Sequence, residues 1–537
     1  MHRSRRWFRR LVLVVLLLAA LPALAAPPLP KIVSKDGRHM LLVDGQPYLM
    51  LAAQVNNSSA WPAMLPKVWP AMDALHVNTV QVPIAWAQIE PVEGHFDFSF
   101  LDTLVKQARA HRVRLVLLWF ATWKNNGPAY APDWVKLDNR RFPRVIGKDG
   151  KTLNSLSPFA KTTLDADRTA FVALMKHLRA IDGQRHTVLM VQVENESGIW
   201  GSDRDYSAAG DKLLDAQVPA AVLAKTGHHA GTWKEVFGDA AGEDSCAWAV
   251  AHYINQVAAA GKAVYDLPMY ANAALRDPFH PGKAGVNYEG GAPTDNVLGI
   301  WRAAAPALDL IAPDIYLPQY AKYTAVLDRY RRADNPLFVA ETGNAPGYAR
   351  YVFAALGHQA IGFSPFGMDF TGYSNWPLGA RKVDADTLKP FALDYALLRP
   401  VASLVARKSF EGKVWGVSEP VKTHTQTIDL GNWQAQVAYG LPQFGTPKPE
   451  GNPKPRGGVL IVRLGKNEFL VAGYHARVSF APAGDNAGKR YLFKRVAEGR
   501  YVHGQWQFLR EWNGDQTDWG LNFTSVPQWL HVTLATY

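Results

Sequence analysis

Acids stand at the ends of two apolar runs. In VLMVQVENESG (188–198) the six residues from Val188 are almost all apolar, and Glu194, Asn195 and Glu196 then follow in a row. In LFVAETG (337–343) four apolar residues lead directly to Glu341. Carboxylates are rarely fully buried unless paired, so a strand that delivers one to its own end asks for a chemical reason. Two carboxylates from different strands, aimed at one mouth, are what cleavage of a glycosidic bond requires. One protonates the leaving oxygen while the other works from the opposite side of the sugar. Either acid alone reads equally well as a helix cap or an arginine partner. Both together, in order on a fourth and a seventh strand, favour the chemical reading.

Those strands belong to a longer pattern. Eight short apolar runs, rich in β-branched and aromatic residues, fall at 48–56, 78–86, 114–121, 187–196, 268–275, 308–317, 336–342 and 360–369. Longer amphipathic segments such as FLDTLVKQARAHR and TAFVALMKHLRAID separate them. Near-continuous apolar strands are covered on both faces, as in a parallel sheet. Eight strand–helix units over residues 30–400 predict an α/β fold, a (β/α)8 TIM barrel, whose strand ends carry the site. An open doubly wound sheet is the alternative, and no glycine-rich phosphate loop follows the first strand to favour it. Beyond about Pro400 the pattern changes. Runs such as TIDLGNWQAQVAYG and WLHVTLATY alternate apolar with polar residues. Residues 401–537 are therefore expected to form an antiparallel β-sandwich-like domain, with the Pro-, Gly- and Lys-rich stretch 441–457 as an exposed loop within it.

Composition limits the partners. Arg3, Arg5, Arg6, Arg9 and Arg10 precede the apolar segment Leu11–Leu21, and small residues follow at Ala23 and Ala25. This is the layout of a secretory signal peptide over 1–25. It predicts an exported protein, periplasmic or secreted, without stable membrane insertion after cleavage. An N-terminal anchor is the alternative, but the run is short for a bilayer span. The formal charge of +12 falls by five with those arginines, and the remaining excess forms no basic run, so nucleic acid is not an expected partner. With Cys246 as the one cysteine, an internal disulfide and four-cysteine zinc sites are excluded. His228, His229, His252 and His280 show no metal-ligand spacing. No metal and no cofactor is expected.

VQVENESG resembles the Q-[IV]-E-N-E-[YF]-G signature of glycoside hydrolase family 35, the β-galactosidases, within the retaining glycosidases of clan A. The stretch NTVQVPIAWAQIEPVEGHFDFSFLDTL (78–104) resembles that family's N-T-V…W…E-P…G segment, with Trp86, Glu90, Pro91, Gly94, Phe96 and Phe98 in the matching places. The resemblance implies that Glu196 is the general acid/base, Glu341 the nucleophile, and Asn195 a partner of the sugar 2-hydroxyl. Glu194 is assigned to the other side of the strand, with a structural role. Two places depart from the family. LWFATWKNNGP (118–128) replaces its R-P-G-P-Y-x-x-x-E-W segment, so Trp119, Trp123, Lys124 and Asn125 would hold the sugar differently. ETGNAPGYA replaces the family's E-[FY]-[WY]-x-G-W around the nucleophile. The chain thus resembles a divergent branch.

Tyr316, ending the sixth strand, is placed to hydrogen-bond Glu341, as a tyrosine there does in the clan. Of 18 tryptophans, Trp86, Trp123 and Trp376 fall in strand-end loops, where an indole face stacks on a sugar; the others are assigned mostly to the core. The insertion 201–250 follows Glu196 and is expected to wall the cleft. The reading that follows is a retaining exo-β-glycosidase, a β-galactosidase acting on plant-type oligosaccharides or polysaccharides. An endo-β-mannanase, β-glucanase or β-glucosidase of the same clan is the alternative enzyme. A carbohydrate-binding protein on an inactive barrel is the alternative of another class.

Overall fold

The computed structural model describes residues 27–537 except 444, 447 and 503, so the leader expected over 1–25 lies outside the described residues. A small antiparallel sheet, Lys31–Lys35, Arg38–Val43 and Gln46–Tyr48, comes first. Eight strands then close a barrel: β1 Met50–Gln54, β2 Thr79–Ala85, β3 Arg114–Lys124, β4 Val188–Asn195, β5 Met269–Ala274, β6 Leu310–Ile315, β7 Val339–Thr342 and β8 Gly362–Pro365. They pair in chain order and in parallel, β8 returning to β1. All eight runs expected from the sequence are these strands. Their near-continuous apolar character follows from burial on both faces. Inside, Met50, Ala52, Val116, Leu118, Phe120, Met190 and Tyr270 fill the barrel. Outside, Val80, Val82, Val191 and Val193 pack under the helices, among them α1 (Lys161–Asp182) and α2 (Ala241–Val264). No helix among the described residues is long and apolar enough to cross a membrane.

After the helix Ala402–Phe410 come, among the described residues, ten strands, from β9 (Val414–Ser418) to β18 (Gln528–Thr536). Six form one antiparallel sheet and four the other. The two sheets enclose a core of Trp433, Val437, Ile461, Phe469, Val478, Phe480 and Val532. Alternation along each strand sends one set of side chains into that core. On the six-stranded sheet the opposite set, including Leu460, Val462, Leu470 and Trp529, packs on the barrel. There the Trp529 indole N–H donates to the Leu397 carbonyl at 2.9 Å. Backbones touch at this seam. A Cβ on Gly357 would stand 2.1 Å from the Gly416 carbonyl oxygen, so only glycine fits. The described residues of stretch 441–457 form a loop between β11 (Trp433–Tyr439) and β12 (Gly458–Arg463).

Candidate active site

Polar side chains replace apolar ones at the C-terminal end of the barrel. Gln54 ends β1, Asn195 ends β4 with Glu196 immediately after it, Asn272 lies in β5, Asp314 in β6 and Glu341 in β7, all buried. Below them Gln81 binds the layer together: its amide donates to the Ala340 carbonyl at 2.5 Å and to Ser364 Oγ at 2.7 Å, while Tyr270 donates to its oxygen at 2.7 Å. One carboxylate oxygen from each of Glu196, Asp314 and Glu341 lies within 4.8 Å of the other two. A cavity of about 480 Å³ opens above them, lined also by Lys124, Asn125, Tyr316, Tyr373 and Asn375. The volume is in the range of small-molecule sites.

The acids have different surroundings. Glu341 accepts from the Gln54 amide at 2.8 Å and from the Tyr316 hydroxyl at 2.7 Å, two donors that suit a carboxylate. Burial and the neighbouring acids push the Tyr316 hydroxyl well above its usual range, so it stays a donor. Glu196 accepts from Asn125 Nδ2, and from Asn195 Nδ2 at 3.4 Å, while its own backbone N–H donates to Asn272 Oδ1 at 3.0 Å. Burial first, and then the charges of Glu341 and Glu289, raise Glu196 to about 7 against the opposing pull of Lys124. Asp314 is pushed well above the carboxylate range by burial and by the charges of Glu341 and Glu196. It accepts from Asn272 Nδ2 at 2.6 Å, and when it holds its proton it can donate to Glu196. The site therefore presents a proton-holding pair, Asp314 and Glu196, opposite a carboxylate held by two donors. The same oxygens are also the donor chemistry of a hard cation, although hydrogen bonds already occupy lone pairs on all three acids.

Local backbone explains how Glu196 reaches the mouth. Strict alternation along β4 would put Glu194 and Glu196 on one face. Both have left-handed backbone, with φ of 63° and 44°, and the period breaks. Glu194 turns outward between α1 and α2, where its carboxylate accepts from the Trp123 backbone N–H at 2.7 Å and lies beside Asp167. It thus lies on the other side from Glu196, for a different reason than alternation. Asn195 stays inside, its oxygen accepting from Gln192 at 3.0 Å and from Asn272 at 3.2 Å.

Glu196, Glu341, Asn195, Tyr316 and Asn125 come together in one site. The tryptophans do not. Trp86 is fully buried, donating to Glu90 at 2.8 Å and packed edge-on against Trp134, so no indole face is open to a sugar. Trp123 is also sealed, against Tyr253, because β3 runs on to Lys124 and keeps the ring under α2. Trp376 is 53% exposed, but Arg381 covers its ring at 4.0 Å, and Tyr373, Asn375 and Leu378 of the same loop line the cavity instead. Sequence reading missed Gln54, Asn272 and Asp314. Each is a polar residue in an otherwise apolar strand, the same feature that singled out Glu196.

Comparison with known proteins bears on this site. Residues 58–212 match the glycoside hydrolase family 42 model described as "Beta-galactosidase", a segment that contains Glu196 and stops before Glu341. Residues 391–524 match a domain of unknown function. A β-galactosidase of Xanthomonas manihotis is 29% identical over 36% of this chain and 31% of its own length. Beta-galactosidase 11 of Arabidopsis thaliana is 26% identical over 31% of this chain and 19% of its own. The chain thus spans about a third or less of the curated relatives it matches. Among solved structures, a β-galactosidase of Bacillus circulans has a TM-score of 0.48 at 12% identity, over 66% of this chain and 57% of its own. The matching model is that of family 42 rather than family 35. The stretch through the second, third and fourth barrel strands is similar to a β-galactosidase-type glycoside hydrolase domain.

Proposed function

We propose that the protein is an exported, retaining exo-β-glycosidase of clan A, close to families 35 and 42, that removes terminal β-galactosyl residues from plant-type oligosaccharides. The observation that carries this reading is the meeting of Glu196 and Glu341 at the barrel mouth, with oxygens within 4.8 Å. Carboxyl groups about 5–5.5 Å apart suit double displacement, whereas inversion needs roughly 6.5–9.5 Å to admit a water. Glu341 attacks the anomeric carbon as Glu196 protonates the leaving oxygen. Water then attacks the glycosyl-enzyme, with Glu196 taking its proton. Asn195 and Asn125 line the sugar side of Glu196, and Gln54 and Tyr316 hold the nucleophile in place. No cofactor enters these steps.

Galactose as the sugar is supported by the names of the similar β-galactosidases, and export by the arginine-flanked apolar leader. A panel of aryl β-glycosides tests the activity. The β-galactoside is expected to be cleaved with the highest kcat/KM. Preference for the mannoside or glucoside would move the assignment to another branch of the clan. No cleavage of any of them would remove the glycosidase reading.

A further inference from the structure

The C-terminal sandwich has a cavity of its own. It is about 320 Å³ and lies beside β17 (Leu521–Phe523), at the edge of the four-stranded sheet, with no barrel residue in its walls. Pro442, Gln443 and Gly445 of the long β11–β12 loop form one side, and Asp515, Gln516, Asp518 and Trp519 form another. The walls are tied together from below. Arg477, almost fully buried, donates from Nε to Asn522 Oδ1 at 2.5 Å and from its other nitrogens to the carbonyls of Thr446 and Gln443. Asn522 Nδ2 in turn donates to the carbonyls of Asp515 at 2.7 Å and Asp518 at 3.2 Å. Two successive residues with positive φ, Trp519 at 63° and Gly520 at 135°, carry the indole outside the sandwich, where it is 59% exposed.

An exposed indole beside amides and carboxylates matches one kind of ligand. A sugar ring has an apolar C–H face for the indole and hydroxyls around its edge for Gln443, Gln516 and the two aspartates. Arg477 already spends its donors within the protein, so the free charge at the cavity is negative and selects against acidic sugars and phosphates. We propose that the C-terminal domain binds neutral glycan chains at Trp519, at a site separate from the barrel mouth. Such a site would hold the protein on a polymer while the barrel works on chain ends.

The test uses the full chain carrying Glu341→Gln, so that no probe is consumed, in native gels containing galactan, galactomannan or xyloglucan. Polygalacturonate is the anionic control. Retardation by at least one neutral polymer is expected. Trp519→Ala should weaken it by about tenfold or more, the scale of losing a central aromatic contact, and Trp519→Tyr should restore most of it. Asp515→Ala with Gln516→Ala, both exposed side chains, should show the same loss without altering the backbone at Trp519. With Glu341 intact, Trp519→Ala should leave kcat/KM on an aryl galactoside unchanged. The proposal is overturned if no neutral polymer retards the parent chain, or if Trp519→Ala and the double variant are retarded like it. Retardation by polygalacturonate alone would also overturn it, and would point to the cavity of about 620 Å³ lined by Arg350, Lys389, Lys454 and Arg456. Retardation needs no turnover, so an inactive chain that still binds would refute the proposed activity and leave this site standing.

Discussion

Asp314 and Glu341 are register partners across β6 and β7, and their carboxylates share the barrel mouth with Glu196. Three acids in one buried site cannot all be ionised cheaply. The surroundings divide the work: Glu341 has two donors, while a protonated Asp314 can donate to Glu196. In the proposed mechanism Asp314 adjusts the acid rather than replacing it.

Asp314 variants should move a pH limb. Its hydrogen bond lowers the affinity of Glu196 for its proton. Asp314→Ala should shift the basic limb of kcat/KM to higher pH, and Asp314→Asn, which can still donate, should leave it near that of the parent. A limb unmoved in both variants would show that Asp314 does not act on Glu196.

The parent profile has a defined sign. Glu196 must be protonated to serve as the acid, and it is raised to about 7. Activity should thus be present below that value and fall as pH rises through it. Lys124 opposes the shift, so Lys124→Met should carry the limb upward. A downward movement would contradict the assigned electrostatics.

The two glutamates should fail differently. Glu341→Ala should lose at least about 10³-fold on every substrate, in line with removal of a covalent nucleophile. Glu196→Ala should keep the first step for aryl glycosides with good leaving groups, and azide should speed its turnover by attacking without a general base. Azide should give the β-glycosyl azide with Glu196→Ala, by opening the glycosyl-enzyme; an α-glycosyl azide from that variant would exchange the roles.

Asp394 offers a test of stability outside the site. It is buried in the helix Ala385–Leu398, with no hydrogen-bond partner on either oxygen among the described residues, and burial drives it well above the carboxylate range. A carboxyl raised in the folded state stabilises below its unfolded value and loses that contribution as pH rises towards the folded one. Asp394→Asn cannot ionise and should be more stable than the parent at pH 8, by about 1–3 kcal/mol, with little difference at pH 4. Melting curves that stay parallel across this range would show that Asp394 carries no such cost.

Much of this was legible because strands of a buried barrel are written as apolar runs. The acids at their ends stand out for the same reason, as Glu196 and Glu341 do. Side-chain direction was not legible where the backbone leaves the regular period. Glu194 points outward through its left-handed φ, which no residue type announces. The tryptophans failed for another reason. An indole has the same composition whether it lines a cleft or fills a core, and Trp86 and Trp123 sit within or directly after strands that continue under helices.

The identity of the nucleophile is the central claim, and Asp314 is its nearest rival. Inactivation with an activated 2-deoxy-2-fluoro-β-galactoside, which slows breakdown of the glycosyl-enzyme, followed by peptide mass mapping, decides between them. One fluorogalactosyl group on Glu341 is the predicted result. The same group on Asp314 or Glu196, or turnover of the parent substrate with no covalent label at all, would contradict the account.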